Sequence, residues 1–260
     1  MKKFEFGINW KDFSDSSLSE EKYKEAKSSL KKLFQDIPFQ GKRFLDVGCG
    51  SGIFSLSAID LGAAEVVGID CDQSSVIASS ENSKKIMNSG EEESQRLSFF
   101  KKDILNESDI QSLGRFDLVY AWGSLHHTGD MYKALENCAK LVSPGGYLAV
   151  AIYNRHFTSP VWRIIKRTYV SSPKWLQKIW IWIFYPLIYC AKFCVTRSNP
   201  HDMKRGMNFY HDVVDWVGGY PYQYASAAEI IEFMRVKGFE SVSLNSAGVP
   251  TGCNEFLFRH

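Results

Sequence analysis

Several features that settle the class of a chain at once are missing from these 260 residues. Six cysteines are present (Cys49, Cys71, Cys138, Cys190, Cys194 and Cys253), but no CxxC pair and no zinc-site spacing occurs among them. A disulfide scaffold or zinc module is therefore not indicated, and the thiols read as reduced groups of a cytosolic protein. No dense cluster of histidines and carboxylates has metal-site spacing either, so no metal is expected. The first residues, MKKFEFGINWKDF, carry no continuous apolar run, and no signal peptide is evident. No internal repeat occurs. One absence is local: between Asn137 and His201 there is not a single aspartate or glutamate.

That stretch holds Lys140, Arg155, Arg163, Lys166, Arg167, Lys174, Lys178, Lys192 and Arg197, nine positive charges. The whole chain carries +2, so the remainder sums to −7 and one segment is set apart electrostatically. With 45% hydrophobic and 14% aromatic residues, the chain can bury a large core. One domain with an elaboration is the expected layout.

After a polar helical lead-in from Ser19 to Gln35, strand-like and helix-like segments alternate. RFLDVG reads as a buried strand and IFSLSAIDLG as the helix after it. EVVGIDC is the next strand, followed by a helix from about Ser74 to Asn88 and a solvent-facing loop, NSGEEESQR. RLSFFKKDI and FDLVYAW are a third and fourth strand; a helix over Asp130 to Val142, an SPGG turn and a fifth strand, GYLAVAIYN, follow. Short β-rich runs separated by helices predict a parallel sheet with helices on both faces. From Arg155 to Tyr222 the rhythm breaks into aromatic, basic, proline-punctuated sequence. Alternation resumes with an amphipathic helix, SAAEIIEFMRVKG, whose Ala227, Ile230, Ile231 and Met234 share a face, and with two last strands, FESVSLNSAG and NEFLFR. The organisation expected is thus a helical lead-in (1–40), a Rossmann-like α/β core (41–154), an inserted cap (155–222) and the closing part of the core (223–260).

The run DVGCGSG puts Gly48, Gly50 and Gly52 directly after the first strand, a density that is costly unless backbone must be bare for a ligand. The dinucleotide fingerprint GxGxxG is not met, because Ile53 stands where its third glycine belongs. Asp46 would repel a pyrophosphate and attract an α-amino group instead. Asp70, ending the second strand, is placed to accept both hydroxyls of a ribose. Asp103, ending the third, is placed for an adenine amino group, with Ile104 beside the ring. Trp122 and Gly123 end the fourth strand at the same edge.

These residues resemble the class I S-adenosylmethionine (SAM)-dependent methyltransferases over about residues 40 to 155. DVGCGSG is similar to the family's glycine motif, VVGIDCD to its ribose motif, KKDI to its adenine motif, and FDLVYAWGSLHH and LVSPGGYLAV to its fourth- and fifth-strand motifs. The resemblance implies a seven-stranded sheet with an antiparallel last strand and SAM as cofactor. It places Asp46, Gly48, Cys49, Gly50, Gly52, Asp70, Cys71, Asp103, Ile104 and Trp122 around that cofactor, with Cys49 and Cys71 as small buried groups. More loosely, FGINW, AIYN, RGMNFYHDVVDWVGGYP and GCNEF resemble a bacterial methyltransferase subgroup associated with surface glycans.

A hydroxyl acceptor needs a base, and two places offer one. GSLHHT sets His126 and His127 just past the fourth strand, one as base and one toward substrate, or both as packing groups. In NFYHDVVDWVGGYP, His211 and Asp215 fall one helical turn apart, a pair for catalysis or simply a surface pair; Phe209, Val213 and Trp216 point elsewhere. Tyr220 and Tyr222 follow as substrate-side candidates. The segment WLQKIWIWIFYPLIYCAKFCV (175–195) has an apolar run of thirteen residues between its lysines, about 20 Å as a helix and short of the roughly 30 Å needed to span a bilayer. It fits a lid over the site, a dimer surface, or a helix lying on the inner face of an anionic membrane. The reading is a cytoplasmic methyltransferase of a small-molecule, glycan, lipid-linked or quinone-like hydroxyl, with no nucleic acid as partner. RNA methylation, a non-catalytic SAM-binding scaffold and an NAD-dependent oxidoreductase are the alternatives.

Overall fold

The computed structural model describes residues 4, 6–7, 19–35, 37–86, 95–201, 209–249 and 251–260. Residues 88–94 of the predicted surface loop, most of the opening MKKFEFGINWKDF, and 205–208 of the RGMNF run lie outside the described residues.

Seven strands form one sheet in the order β3-β2-β1-β4-β5-β7-β6. β1 (Arg43–Val47), β2 (Glu65–Asp70), β3 (Leu97–Lys101), β4 (Phe116–Trp122) and β5 (Val142–Tyr153) are parallel. β7 (Cys253–Arg259) runs antiparallel between β5 and β6 (Glu240–Asn245). This is the Rossmann-like methyltransferase sheet that the sequence predicts. The inner strands read as nearly continuous apolar runs because both faces are covered.

One face is covered by α5 (Met131–Lys140) and α9 (Ala227–Val236), which contribute Met131, Leu135, Ile230 and Met234 to the core. The other is covered by α1 (Glu20–Leu33) and α2 (Ile53–Asp60) through Leu30, Leu33 and Ile59. The remaining helices are α3 (Gln73–Ile86), α4 (Glu107–Gln111), α6 (Ser159–Ser171), α7 (Lys174–Thr196) and α8 (Phe209–Gly218). Local chemistry sets several ends. Ser19 caps α1, Asp130 caps α5, and Ser226 with Glu229 makes a reciprocal capping box on α9.

Two expectations need correction. SPGG is not a turn ahead of β5 but a bulge within it. Phe116 pairs with Val142 while Leu118 pairs with Tyr147, so the intervening residues bow out around Asp117. A Cβ on Gly146 would sit 2.8 Å from the Asp117 carbonyl oxygen, which is why glycine is needed there. The aromatic run is also longer than its lysine-free stretch implies. α7 has 23 residues, roughly 35 Å, carries Pro186 inside it, and is long and apolar enough to cross a membrane by length and composition. The length argument against a span therefore fails. Packing ties the helix to the cap instead: Trp180, Ile181, Phe184, Tyr185, Ile188 and Tyr189 meet a cluster with Tyr169 of α6 and Phe209, Val213 and Val217 of α8.

Candidate functional site

The glycine turn is shaped by its own protein neighbours. The N–H groups of Gly48 and Cys49 both donate to the Ile69 carbonyl at the end of β2, at 2.8 and 3.1 Å. Ser124, just past β4, donates its hydroxyl to the Val47 carbonyl at 2.7 Å. Gly48 and Gly52 have φ of +78° and +76°, where side chains are strained. A Cβ on Gly48 would lie 2.4 Å from Ser124 Cβ, and one on Gly52 would lie 2.7 Å from Ser79 Cβ. Bare backbone at these two positions thus answers Ser124 and Ser79, not solely a ligand as the sequence alone suggests. Ser124 is a site residue that sequence reading missed; its position three residues before His127 was the available signal.

The predicted carboxylates do reach one edge of the sheet, with different surroundings. Asp70 ends β2, accepting the Gly50 N–H at 3.2 Å and the Asp72 N–H at 2.9 Å. Burial pushes its carboxyl up, and those bonds oppose the shift. Asp103, two residues past β3, accepts the Leu105 N–H at 2.9 Å, while its own N–H donates to Asp109. Asp46 lies deeper than its predicted role requires. It is 2% exposed, takes the Ser55 hydroxyl at 2.6 Å, and is raised by desolvation to about 7. It joins β1 to the first turns of α2.

Cys49 is buried as expected, and burial raises its thiol well above the ordinary range. Cys71 is exposed, because β2 ends at Asp70 and the chain has left the sheet there. Ile104 is a core residue whose carbonyl receives the Asn137 amide at 2.8 Å. Trp122 departs from expectation: its indole N–H donates to Glu255 on β7 at 3.1 Å, across β5 and away from β1. The polar groups at this edge are carboxylate acceptors and backbone. That suits a ligand bringing amino and hydroxyl hydrogens rather than a pyrophosphate.

The histidines separate cleanly. The short 3₁₀ turn Leu125–His127 sends Leu125 and His126 inward. His126 is wholly buried, 3.9 Å from the Tyr153 ring, and desolvation drives its pKa well below the usual histidine value. Its ring is turned away from solvent. His127 is half-buried, with Nδ1 2.7 Å from the Pro221 carbonyl oxygen. That carbonyl can only accept, so Nδ1 carries the proton and Nε2 keeps a lone pair. Desolvation, then the charge of Lys166, lowers the His127 pKa to about 3.

Two further segments pack against His127. Gly219 closes α8 against the His127 ring: a Cβ there would lie 2.7 Å from both the Asp215 carbonyl oxygen and His127 Cε1. Near the amino terminus, the Phe6 ring sits 4.7 Å from the His127 ring, and the Gly7 N–H donates to Asp72 at 3.1 Å. The Phe4 N–H donates to the Tyr220 carbonyl at 2.9 Å, and its ring fills the space a Cβ on Gly218 would need. Phe4, Phe6 and Gly7, a strap at the amino-terminal side, thus touch in turn the cap, His127 and the loop beyond Asp70. No periodic signal in the sequence marks this strap.

His211 and Asp215 lie on α8 as predicted, with His211 buried. Asp215, with Asp212, acts on the ammonium of Lys166. Tyr220 joins the cap cluster, and Tyr222, 1% exposed, packs on Tyr153 at 5.0 Å. Lys166, Tyr153, Trp216 and Phe6 were all missed in the sequence, since each belongs to the pocket only through tertiary contact.

A seven-stranded sheet with one antiparallel inner strand, a glycine turn after β1 and carboxylates at successive strand ends define the methyltransferase class of α/β fold. A family model described as a methyltransferase domain matches residues 19–213, and the chain belongs to that family. It is 32% identical over 143 residues to a ubiquinone biosynthesis O-methyltransferase of Coxiella burnetii, covering 55% of this chain and 57% of that one. The chain thus spans little more than half the length of the curated relatives it matches. Among solved structures, an O-methyltransferase family protein from Burkholderia thailandensis aligns with a TM-score of 0.59 at 12% identity, covering 96% of this chain and 59% of that one. The magnesium protoporphyrin IX methyltransferase of Synechocystis, solved with bound S-adenosylhomocysteine (SAH), aligns with a TM-score of 0.54 at 15% identity, covering 97% and 84%. At these identities the likeness is one of fold.

Proposed function

We propose that this chain is a SAM-dependent methyltransferase acting on the hydroxyl of a small-molecule acceptor, quinone-like or lipid-linked. The observation that carries the reading is that one sheet edge brings together the glycine turn, Asp70 and, through Ser124, His127. Residues 41–154 would hold the cofactor and 155–222 the acceptor. Asp70 would take the ribose hydroxyls, Asp103 and Ile104 the adenine, and the turn over Gly48 to Gly52 the methionine end.

When bound, SAM supplies an electrophilic methyl carbon on a sulfonium, so the protein's task is alignment. His127 Nε2 would accept a hydrogen bond from the acceptor O–H and turn an oxygen lone pair toward the cofactor edge. With its pKa at about 3, it takes the proton only as methyl transfer makes the oxygen strongly acidic, and then passes it to water. Its weak basicity favours an acidic hydroxyl over an alcohol. Phe6 and the strap shield the pocket from water. His211, inside the cap, supports this framework, so His127 is preferred as the base.

The same proposal extends to location: α7 lies on the inner, anionic face of the cytoplasmic membrane. Trp182 is 79% exposed and Leu187 58%, beside Lys174 and Lys178, and no acid occurs from 137 to 201.

Isothermal titration with SAH tests the core of the proposal. Micromolar binding is expected, weakened about 10- to 100-fold in Asp70→Ala, with no heat from NAD. A chain that ignores SAH overturns it.

A further inference from the structure

Among the described residues, Lys166 on α6 is the one lysine or arginine that is buried, at 0% exposure. In the sequence it is one of nine cations in the insertion, with nothing to single it out. Its Nζ donates to the Trp216 carbonyl in the last turn of α8. Three rings surround it, with Nζ 4.4 Å from the centroid of Trp216, 4.9 Å from Tyr222 and 5.7 Å from Tyr153. A buried ammonium is costly unless something answers it. Here the carbonyl end of α8 and the faces of three rings supply partial negative charge, and Asp215 and Asp212 supply full charges.

The cage also borders the two histidines. Tyr153 ends β5, and the ring that flanks Lys166 packs on His126 at 3.9 Å and on His127 at 5.5 Å. The ammonium thus stands one aromatic layer behind the imidazole assigned to the acceptor. In so apolar a setting a charge acts strongly over that distance, and it disfavours a second proton on both histidines.

We propose that Lys166 is a positioning residue for the acceptor, whose buried charge biases the pocket toward an oxygen able to carry negative charge, a phenolic or enolic hydroxyl rather than an aliphatic one. The inference rests on the reading of His127 as the residue that meets the acceptor. A nearby cation lowers the pKa of a phenol or enol, which helps most where that hydroxyl is already acidic, whereas an aliphatic alcohol remains far too basic to profit. Burial draws Lys166 itself down to about 7, with Asp215, Cys253 on β7 and Asp212 opposing the shift. The Tyr153 and Tyr222 hydroxyls are raised by burial, so both rings face the ammonium in their neutral form.

4-Nitrophenol reports its own ionisation by colour and serves as the probe. Bound to the wild-type complex with SAH and followed across the neutral pH range, it is expected to ionise about one pH unit below the free probe. Lys166→Met should lose most of that shift and Lys166→Arg should keep it, with SAH affinity unchanged in both. The wild-type series stands on its own if a variant folds poorly. A bound probe that ionises like the free one overturns the proposal. So does an equal shift in wild type and Lys166→Met, or an SAH complex that leaves the probe's spectrum untouched. A chain that takes up no SAH overturns the methyltransferase reading itself, which separates the two failures.

Discussion

The two halves of the proposed site, a cofactor side and an acceptor side, handle buried charge in opposite ways. On the cofactor side a carboxyl, Asp46, is taken out of water against the hydroxyl and backbone N–H of Ser55. On the acceptor side an ammonium, Lys166, is taken out of water against three rings and a helix end. Desolvation moves the first up and the second down, and both arrive at about 7. The difference lies in how each half is built. The cofactor side is backbone geometry, the turn from Gly48 to Gly52 held by hydrogen bonds to the end of β2 and by the close approach of Ser79 and Ser124. The acceptor side is a meeting of side chains from Phe6, His127, Tyr153, Lys166 and Trp216.

If the cofactor side depends on backbone, the largest effect will come from adding a side chain where none fits. Gly48→Val must adopt a φ of +78° and push against Ser124. The expected cost is about 3 kcal/mol or more in stability, with SAH binding lost in calorimetry. Pairing Gly48→Ala with Ser124→Gly should recover the part due to the clash and leave the part due to backbone strain. Wild-type SAH affinity in Gly48→Val would remove the turn as the cofactor site.

On the acceptor side the effect should be chemical rather than structural. His127→Ala is expected to lower turnover about 100-fold or more with SAH affinity intact, whereas His211→Ala should act mainly on thermal stability. The reverse ranking in steady-state kinetics would transfer the base to the His211–Asp215 helix.

This contrast also explains what the sequence could show. The sheet was legible because buried parallel strands are continuous apolar runs, and each carboxylate of the cofactor edge lies at or just past a strand end, as Asp70 and Asp103 do. What failed there failed on side-chain direction, which period and spacing do not encode: Trp122 turns to Glu255, Asp46 turns inward and Cys71 outward. The cap offered composition but no register, so α7 came out longer than its lysine-free run. Lys166 was one cation among nine, and Phe6 belonged to a segment with no periodicity. Neither could be assigned until α6, α8 and the strap were seen around His127.

The opposite burial of Asp46 and Lys166 gives the comparison a pH signature. The folded pKa of Asp46 lies above its unfolded value, so its contribution is fully present below about pH 4 and lost as pH rises to about 7. For Lys166 the folded pKa lies below the unfolded one of 10.5, so the unfolded chain binds more protons and stability rises from about pH 7 toward 10. Each slope is bounded near 1.4 kcal/mol per pH unit. Denaturant unfolding across pH should show Asp46→Asn flattening the fall below 7 and Lys166→Met flattening the rise above it. Parallel curves for either variant and wild type would mean that its charge is not desolvated as described.

The smallest effect concerns the outer face of the acceptor half, where the most exposed large apolar side chains lie. Phe157, Trp175, Trp182 and Leu187 are 84%, 66%, 79% and 58% exposed, on or beside helices that also present Arg163, Arg167, Lys174 and Lys178. Aromatic side chains flanked by cations favour the boundary between headgroups and acyl chains, and attraction to anionic lipid adds a salt-dependent part. Flotation with liposomes rich in anionic lipid should recover the protein at low salt and much less at high salt. The double substitution Trp182→Ser with Leu187→Ser should weaken partitioning about tenfold at constant salt, leaving SAH affinity unchanged. Binding that vanishes with salt but ignores these substitutions would assign the contact to the lysines and arginines alone. No flotation at low salt would leave the exposed face of α7 to a second copy of the chain, which sedimentation would register as a dimer.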